Sequence, residues 1–241
     1  MKDLKDITAV ILVGGKGTRL QSVISEKPKC MAAIQGRPML TYLLDQLILN
    51  GINKVVLCTG YQAAQVREIM GSSYGSLQLF YSHEDQPLGT AGAIRLAKPW
   101  LDSDPVLVMN GDSYCRVNLR AYFDWFMNVK ASVSLLLTQV SNAARYGSVK
   151  IDSHGRIVRF VEKREDMVPE LINAGIYWLS QQVITSIPAG QFCSIEKDVF
   201  PQWIGKTFYG YVVDGDFLDI GTPESYAEAD QFFSGISAVT S

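Results

Sequence analysis

The sequence predicts an α/β fold in which a largely parallel sheet is covered by helices on both faces. Strand-like apolar runs alternate with helical patterns, residues 10–13 are apolar without interruption, and residues 105–110 repeat that pattern before Gly111-Asp112. An uninterrupted apolar run is typical of a strand buried on both faces, and the alternation is typical of parallel β-α-β units. Ligands of such sheets bind at the carboxyl ends of the strands, where a glycine turn and Asp112 both follow.

The other elements follow this alternation along the chain. Leucine or isoleucine recurs at helical spacing through residues 40–48, which predicts a helix over residues 38–50 that Gly51 ends. The first half continues with strands at 54–59 and 77–81 and helices at 62–70 and 90–98. The second half is richer in strands, which we predict at 131–140, 146–151, 157–163, 171–179 and 207–213, with helices at 119–129, 181–187, 195–204 and 223–233.

Length, charge and composition favour one folded unit. With 241 residues, 47% apolar side chains and a formal charge of −2, we expect a single domain over residues 1–241. We divide it into a nucleotide-binding half at about 8–112, a half for a second substrate at 113–233 and a tail at 234–241. The charge argues against nucleic acid as a partner, and a membrane partner is not expected because no apolar run reaches the ~20 residues that span a bilayer.

The cysteines and histidines restrict the compartment and the kind of site. The four cysteines are far apart without a CxxC pair, so we expect reduced thiols in the cytoplasm, with Cys30 the more exposed one. Two histidines make a histidine-rich metal site or a triad improbable, so any metal would be a hard cation on carboxylates. The sequence leaves homo-oligomer formation open, and we interpret the aromatic residues 122–126 as core.

A glycine-rich turn follows the first strand. Gly14, Gly15 and Gly17 let backbone N–H groups approach an anion, and Arg19 and Lys29 add positive charge beside them. We therefore expect a triphosphate here, with a tight turn that binds nothing as the alternative. The spacing matches neither the P-loop nor the dinucleotide fingerprint.

Two aspartates follow short apolar stretches and could share a cation. Asp112 ends Met109-Asn110-Gly111-Asp112, and Asp219 lies in Phe217-Leu218-Asp219-Ile220-Gly221. Mg²⁺ typically takes one or two protein carboxylates and completes its shell with phosphate oxygens and water. The hypothesis requires the two carboxylates to meet although 107 positions separate them. Taken alone, each aspartate is more commonly a turn or capping residue.

Other polar or small residues are weaker signals when taken singly. Gly89 and Thr90 open a predicted helix whose N-terminus could receive a base or a phosphate, with capping by Thr90 as the alternative. Glu162, Lys163 and Asn173 could bind sugar hydroxyls or a phosphate, but exposed strand ends carry the same residue types.

Taken in order, these motifs resemble the sugar-1-phosphate nucleotidyltransferase family. The resemblance covers about residues 8–232 and rests on Gly14-Gly15-x-Gly17-Thr18-Arg19-Leu20, Pro28-Lys29, Pro87-Leu88-Gly89-Thr90-Ala91, Gly111-Asp112, Tyr146-Gly147, Glu162-Lys163, Asn173-Ala174-Gly175 and Asp219-Ile220-Gly221-Thr222-Pro223. It implies a Rossmann-like, GT-A-like three-layer sandwich with a mostly parallel central sheet and a β-rich sugar-binding second half. It also implies Mg²⁺-dependent condensation of a nucleoside triphosphate with a sugar 1-phosphate. The chain departs from many members at residues 21–25, where they carry a proline and a threonine.

The resemblance assigns roles to individual residues. Arg19, Lys29 and Asp112 would be catalytic, and Asp112 and Asp219 would hold Mg²⁺. The nucleotide would contact Leu12, Gly14, Gly15, Gly17, Thr18, Arg19, Gln86, Gly89 and Thr90. The sugar phosphate would contact Gly147, Glu162, Lys163 and Asn173.

Within the family, residues 27–29, 36–38, 87–92 and 194–198 are most similar to the guanylyltransferases. This implies GTP as nucleotide and D-glycero-D-manno-heptose 1-phosphate as sugar, with mannose 1-phosphate as the alternative, for synthesis of a surface polysaccharide precursor. A sugar-phosphate oxygen would attack the α-phosphorus in line without a general base, because a phosphate with a second pKa of about 6 is already anionic at pH 7. The alternatives of another class are a non-catalytic nucleotide-sugar sensor and a glycosyltransferase.

Overall fold

The computed structural model describes residues 2–20, 23–24, 27–140, 146, 148–161 and 170–235, so Gly147, Glu162 and Lys163 lie outside the described residues. The strands are β1 Thr8–Leu12, β2 Ala33–Ile34, β3 Arg37–Pro38, β4 Lys54–Thr59, β5 Ser73–Tyr74, β6 Leu77–His83, β7 Val106–Asn110, β8 Ser113–Cys115, β9 Val133–Val140, β10 Ser148–Ile151, β11 Ile157–Val161, β12 Glu170–Leu179, β13 Phe208–Val213 and β14 Phe217–Asp219. The α-helices are α1 Met39–Leu49, α2 Ala63–Met70, α3 Gly89–Leu96, α4 Leu119–Asn128, α5 Gln181–Ser186, α6 Pro223–Ala227 and α7 Ala229–Ser234.

One ten-stranded sheet runs through both halves of the chain. Its order is β11-β10-β12-β7-β1-β4-β6-β5, with β9 also beside β12 and β13 beside β9. The central strands β7, β1, β4 and β6 are mutually parallel, whereas β12 joins β7 antiparallel. The predicted α/β fold with a parallel centre and a β-rich second half is therefore confirmed.

The core lies on both faces of this sheet. Along β1, Ala9 and Ile11 pack into one apolar cluster with α1 and α4, whereas Val10 packs into the other with α3 and α5. This alternation explains the apolar run in the sequence, because each face of the strand is covered by helices. Tyr122, Phe123 and Phe126 are buried in the first cluster, as predicted for the aromatic stretch.

Two predicted helices differ from the structure. The helix expected over 195–204 is a π-helix, Ile195–Val199, followed by a 3-10 helix, Phe200–Trp203, and Pro201 at the start of the latter has no N–H to continue the ladder. The last helix is divided at Glu228 into α6 and α7. Ser234, which we expected to begin the tail, ends α7, and its hydroxyl donates to the Asp230 carbonyl at 2.7 Å. Across the described ranges, none of the helices has the length and apolar character needed to cross a membrane.

A short ladder that the sequence did not predict lies directly after Asp112. β8 pairs antiparallel with β14, so that Asp219 lies opposite Ser113. The Ile220 N–H also donates to the Asp112 carbonyl at 3.0 Å. This pairing places the two aspartates of the metal hypothesis on adjacent strand ends.

Candidate active site

A cleft of about 690 Å³ opens at the carboxyl ends of β1 and β7. Predicted site residues in its lining are Leu12, Gly14, Gly15, Gly17, Thr18, Arg19, Lys29, Gly89, Thr90 and Asp112. Gln86 is exposed and does not belong to the lining. The strand-end position is the one that the doubly wound sheet predicted.

The glycine turn leaves its backbone open toward the cleft. Gly17 has a φ of +58°, and a Cβ there would lie 2.9 Å from the Cβ of Lys29. A Cβ at Gly14 would lie 2.9 Å from Oε1 of Glu84, whereas Gly15 has open space around it. Two of these glycines are therefore required by close packing, and the third leaves room for a ligand beside the exposed Arg19.

Lys29 and Asp112 line the cleft, and Asp219, which does not belong to the lining, lies beside them next to Gly221. Lys29 begins a 3-10 helix, and its Nζ is 2.5 Å from Oδ2 of Asp112. Its Nζ is also 3.5 Å from the position that a Cβ at Gly221 would take. The Gly221 N–H donates to Oδ1 of Asp219 at 2.5 Å. The site thus combines two carboxylates with one ammonium, which balances part of their charge.

The donor chemistry of this group suits a hard divalent cation. Asp112 and Asp219 offer carboxylate oxygens, and the side chain of Asp112 is 39% exposed toward the cleft. Among the residues that the structure describes, no group of three or more His, Cys, Asp or Glu side chains is placed to hold a metal. Two carboxylates fit a cation whose remaining ligands are substrate phosphates and water.

The N-terminus of α3 binds the protein's own chain. The N–H groups of Ala91 and Gly92 donate to the carbonyl of Cys193, at 2.9 and 3.2 Å. Thr90 Oγ1 accepts the N–H of Ile195 at 2.8 Å, and the N-cap residue is Leu88. Thr90 therefore does not cap this helix, which was the alternative, and the Ala91 and Gly92 N–H groups already have a partner.

Asn173 lies at a bulge in β12. The register of β12 against β9 shifts between Asn173 and Tyr177. The Asn173 side chain donates to the Tyr177 hydroxyl and to Oε1 of Glu196, both at 2.9 Å, and its Oδ1 accepts the Gly175 N–H at 3.0 Å. Tyr177 and Glu196 line the cleft, so Asn173 supports lining residues.

Sequence reasoning missed several residues of the lining, including Glu84, Asn110, Tyr177, Phe192 and Glu196. Glu84 follows β6, and its Oε2 accepts the Leu88 N–H at 3.0 Å. Burial raises the pKa of the Glu84 carboxyl, while the Leu88 N–H and His83 oppose the shift. The signal for Glu84 was its place at the end of a strand, and the signal for Glu196 was its place in a family-like motif.

The cysteines are all free and buried, and each lies in a described part of the chain. Cys30 is 3% exposed, so the expectation that it is the exposed thiol is wrong. Burial raises the pKa of the Cys30 thiol to about 12, which keeps it protonated. Cys30 lines the cleft beside Lys29 and also packs into the apolar cluster that contains α1 and α4.

Comparison with known proteins identifies the class of protein that this fold and site define. The family model described as nucleotidyl transferase matches residues 8–234. The chain belongs to this nucleotidyl transferase family, which confirms the family predicted from the motifs.

Two relatives and one solved structure show which members of this family the chain is similar to. The chain is 37% identical over 224 residues to the D-glycero-alpha-D-manno-heptose 1-phosphate guanylyltransferase of Aneurinibacillus thermoaerophilus, covering 92% of this chain and 96% of the relative. It is 38% identical to the mannose-1-phosphate guanylyltransferase of Mycobacterium tuberculosis, covering 91% of this chain but only 62% of that relative. The crystal structure of HddC from Yersinia pseudotuberculosis complexed with GMP-PN matches with a TM-score of 0.85 and 32% identity, over 94% of this chain and 99% of that one.

Proposed function

We propose that the protein transfers a guanylyl group from GTP to a sugar 1-phosphate and releases pyrophosphate. The sugar we favour is D-glycero-α-D-manno-heptose 1-phosphate. The observation that carries the proposal is one cleft in which the glycine turn meets Lys29 and Asp112, with Asp219 beside them next to Gly221. The guanylyltransferase names of the relatives support the same reaction.

The residues of the cleft can perform this reaction by positioning and charge stabilisation. An oxygen of the sugar phosphate forms a bond to the α-phosphorus, and the bond from that phosphorus to the oxygen of pyrophosphate breaks. The attacking oxygen carries its negative charge before the step, so no side chain needs to take a proton. Gly15 and Arg19 would hold the triphosphate, and Lys29 would stabilise the charge on the transferring phosphoryl group.

We propose Asp112 and Asp219 as the protein ligands of the divalent cation, which we take to be Mg²⁺. When bound, the cation would neutralise charge on the phosphate oxygens. The ion pair between Lys29 and Asp112 supports this assignment because it holds the Asp112 carboxylate at the cleft. If the metal ion neutralised Asp112, the Lys29 ammonium could turn toward the phosphates. The sugar-binding roles of Gly147, Glu162 and Lys163 stay part of the proposal, and Asn173 stays part of it as the residue whose amide holds Tyr177 and Glu196 of the cleft lining.

Glu84 supports the proposed preference for guanine over the other bases. Its carboxylate lies against Gly14 and Gly60, because a Cβ at either glycine would be 2.9 Å from its Oε1. A carboxylate accepts two parallel hydrogen bonds, and the N1–H and N2–H groups of guanine donate two in parallel. We therefore propose that Glu84 reads the base, together with Leu12 and Gly89 on the same wall of the cleft.

Pyrophosphate release tests the proposal directly. The purified chain is incubated with Mg²⁺ and each of four nucleoside triphosphates against heptose, mannose, glucose and N-acetylglucosamine 1-phosphates. We expect release with GTP and the heptose. Release with GTP and mannose 1-phosphate would keep the guanylyl transfer and change the sugar. If no pair of substrates released pyrophosphate but calorimetry showed binding of a nucleotide sugar, the result would favour the non-catalytic sensor.

We propose that the enzyme works in the cytoplasm, because its four free, buried thiols fit a reducing compartment. Its product, a nucleotide sugar, would be consumed by a glycosyl transfer that builds a surface polysaccharide. Fractionation of the producing cell, with pyrophosphate release assayed in each fraction, tests the compartment.

A further inference from the structure

We infer that Glu196 is a sugar-binding residue that selects neutral sugars, and this inference rests on the proposed function. Glu196 lines the cleft and is exposed there, on a π-helix that follows the segment 191–195. It has no role in the base, triphosphate or cation sites described above. Two features of the structure support the inference, namely how this segment is anchored and how the Glu196 carboxylate is held, and the hydrogen-bonding chemistry of a carboxylate supports it as well.

The segment before Glu196 is anchored on α3 by backbone contacts. The Cys193 carbonyl accepts the N–H groups of Ala91 and Gly92, and the Cys193 N–H donates to the Leu88 carbonyl at 2.8 Å. A Cβ at Gly89 would lie 2.6 Å from the Cys193 carbonyl oxygen, and a Cβ at Gly92 would lie 2.9 Å from the Gln191 carbonyl oxygen. The small residues of α3 therefore allow this segment to pack closely, which fixes the position of Glu196.

Asn173 holds the Glu196 carboxylate from the opposite side. Both N–H groups of the Asn173 amide are used, one by the Tyr177 hydroxyl and one by Oε1 of Glu196, and its oxygen accepts the Gly175 N–H. Gly175 has a φ of +77°, and a Cβ there would lie 2.7 Å from Oγ of Ser113, so the bulge that aims Asn173 depends on glycine. Asn173 is therefore a positioning residue, and Glu196 is the group that it presents.

The chemistry of a carboxylate at this position fits sugar hydroxyl groups. An ionised carboxylate offers about four acceptor sites, so an exposed carboxylate that lines the cleft can accept hydrogen bonds from hydroxyl groups while Asn173 holds it. A carboxylate repels the phosphates and attracts the hydroxyl face of the second substrate. It also repels a sugar that carries its own carboxylate, so uronic acid 1-phosphates would be rejected.

Steady-state kinetics of Glu196→Gln and Glu196→Ala test the inference. We expect KM for the preferred sugar 1-phosphate to rise about 10- to 100-fold in the alanine variant, as for the loss of a hydrogen bond to a charged group, with KM for GTP unchanged within about twofold. The matched control is Lys197→Ala, because Lys197 is an exposed neighbour on the same π-helix. Its KM values should stay at those of the native chain.

Two substrate series separate a sugar contact from a structural role. In a series of monodeoxy sugar 1-phosphates, the analogue without the hydroxyl group that Glu196 binds should bind the native chain more weakly than the complete sugar 1-phosphate does. Glu196→Ala should bind that analogue and the complete sugar 1-phosphate equally well. The rate with the uronic acid 1-phosphate, relative to the neutral sugar, should rise in Glu196→Gln. Equal losses with every analogue, an unchanged uronic acid ratio or an equal rise in KM for GTP would overturn the inference.

Failure of the proposed function would look different. If the native chain releases no pyrophosphate with any pair, calorimetric titration with GDP-mannose replaces the kinetic assay. Weaker binding by Glu196→Ala than by the native chain would then support the sugar contact without catalysis. Equal binding by the two, or no binding by the native chain, would refute it.

Discussion

Lys29 is the residue whose removal should affect the reaction most clearly. Its side chain is 11% exposed and its Nζ lies 2.5 Å from Asp112, at the point where charge would develop on the phosphoryl group. We expect Lys29→Ala to lower kcat by about 10²–10³-fold, the usual effect of losing one preorganised charge. Pyrophosphate release under saturating substrates measures it.

The matched control for Lys29 is a second Lys–Asp pair outside the cleft. Lys54 begins β4 and pairs with Asp102, so it lies at the amino end of the central strands. Lys54→Ala should leave kcat within about twofold of the native value, since surface pairs contribute little. Comparable losses in both variants would refute a catalytic role for Lys29.

Glu84 should make guanine recognition depend on pH. Burial raises the pKa of this carboxyl, so it protonates at a higher pH than an exposed glutamate does. The ionised form accepts the N2–H group of guanine, which hypoxanthine lacks. The preference for GDP over IDP should therefore be full above the raised pKa and should fall toward one as the pH falls through it.

Calorimetric titration with GDP and IDP over a range of pH measures that preference, and the titration of the phosphates cancels in the ratio. Glu84→Gln should give a low ratio that does not change with pH. Asp85→Asn is the control, because the Asp85 side chain is 97% exposed. A ratio in the native chain that stays constant across the same range would contradict the role of Glu84.

At the scale of elements, the junction between α3 and segment 191–195 should be sensitive to a single methyl group. Gly89 has a φ of +72°, and its Cβ would lie 2.6 Å from the Cys193 carbonyl oxygen. Gly89→Ala should lower the free energy of unfolding by about 1–2 kcal/mol for the left-handed backbone and by about 1–3 kcal/mol more for the overlap. Urea titration measures the sum.

Gly51→Ala separates these two contributions. Gly51 follows α1 with a φ of +76° and has nothing within 4 Å of its Cβ position, so only the backbone cost applies. Gly89→Ala should therefore be the less stable variant, and its KM for the sugar 1-phosphate should rise because Glu196 follows the displaced segment. Equal stability of the two variants would show that segment 191–195 is not held against α3.

How far the sequence predicts each element depends on the range of the contacts that form it. The buried strands β1, β4 and β7 were predicted because each is an uninterrupted apolar run, a local signal. The ladder of β8 with β14 has three residues a side and joins positions about 100 residues apart, so it has no local signal. The contact of Thr90 with Ile195 is equally distant in sequence, so the sequence alone could not distinguish it from the alternative of helix capping by Thr90.

The same reasoning applies to the site. Gly14, Gly17 and Lys29 belong to one short motif, and all three line the cleft. Glu196 required the π-helix and the bulge at Asn173, and neither has a recognisable sequence period. The family motifs supplied what the local pattern could not, because they record an arrangement of distant segments.

At the scale of the whole molecule, we propose that the two halves of the chain unfold as one unit. β7 of the nucleotide-binding half pairs with β12 of the second half over four residues, from Ile176↔Met109 to Leu179↔Val106. The hydrogen bond from the Ile220 N–H to the Asp112 carbonyl adds a second connection. A single sheet and a core shared across both halves leave no surface along which one half could separate intact, which favours a two-state transition.

Thermal unfolding followed by two probes tests this proposal. Far-UV circular dichroism reports on both halves, whereas fluorescence is dominated by the second half, which carries Trp125, Trp178 and Trp203. We expect coincident transitions, and we expect Phe208→Ala, which removes a fully buried ring, to cost about 3–5 kcal/mol and to shift both probes equally. If fluorescence changes first while half of the dichroism persists, the halves are separate folding units, and the cation site between Asp112 and Asp219 would then be assembled only when they dock.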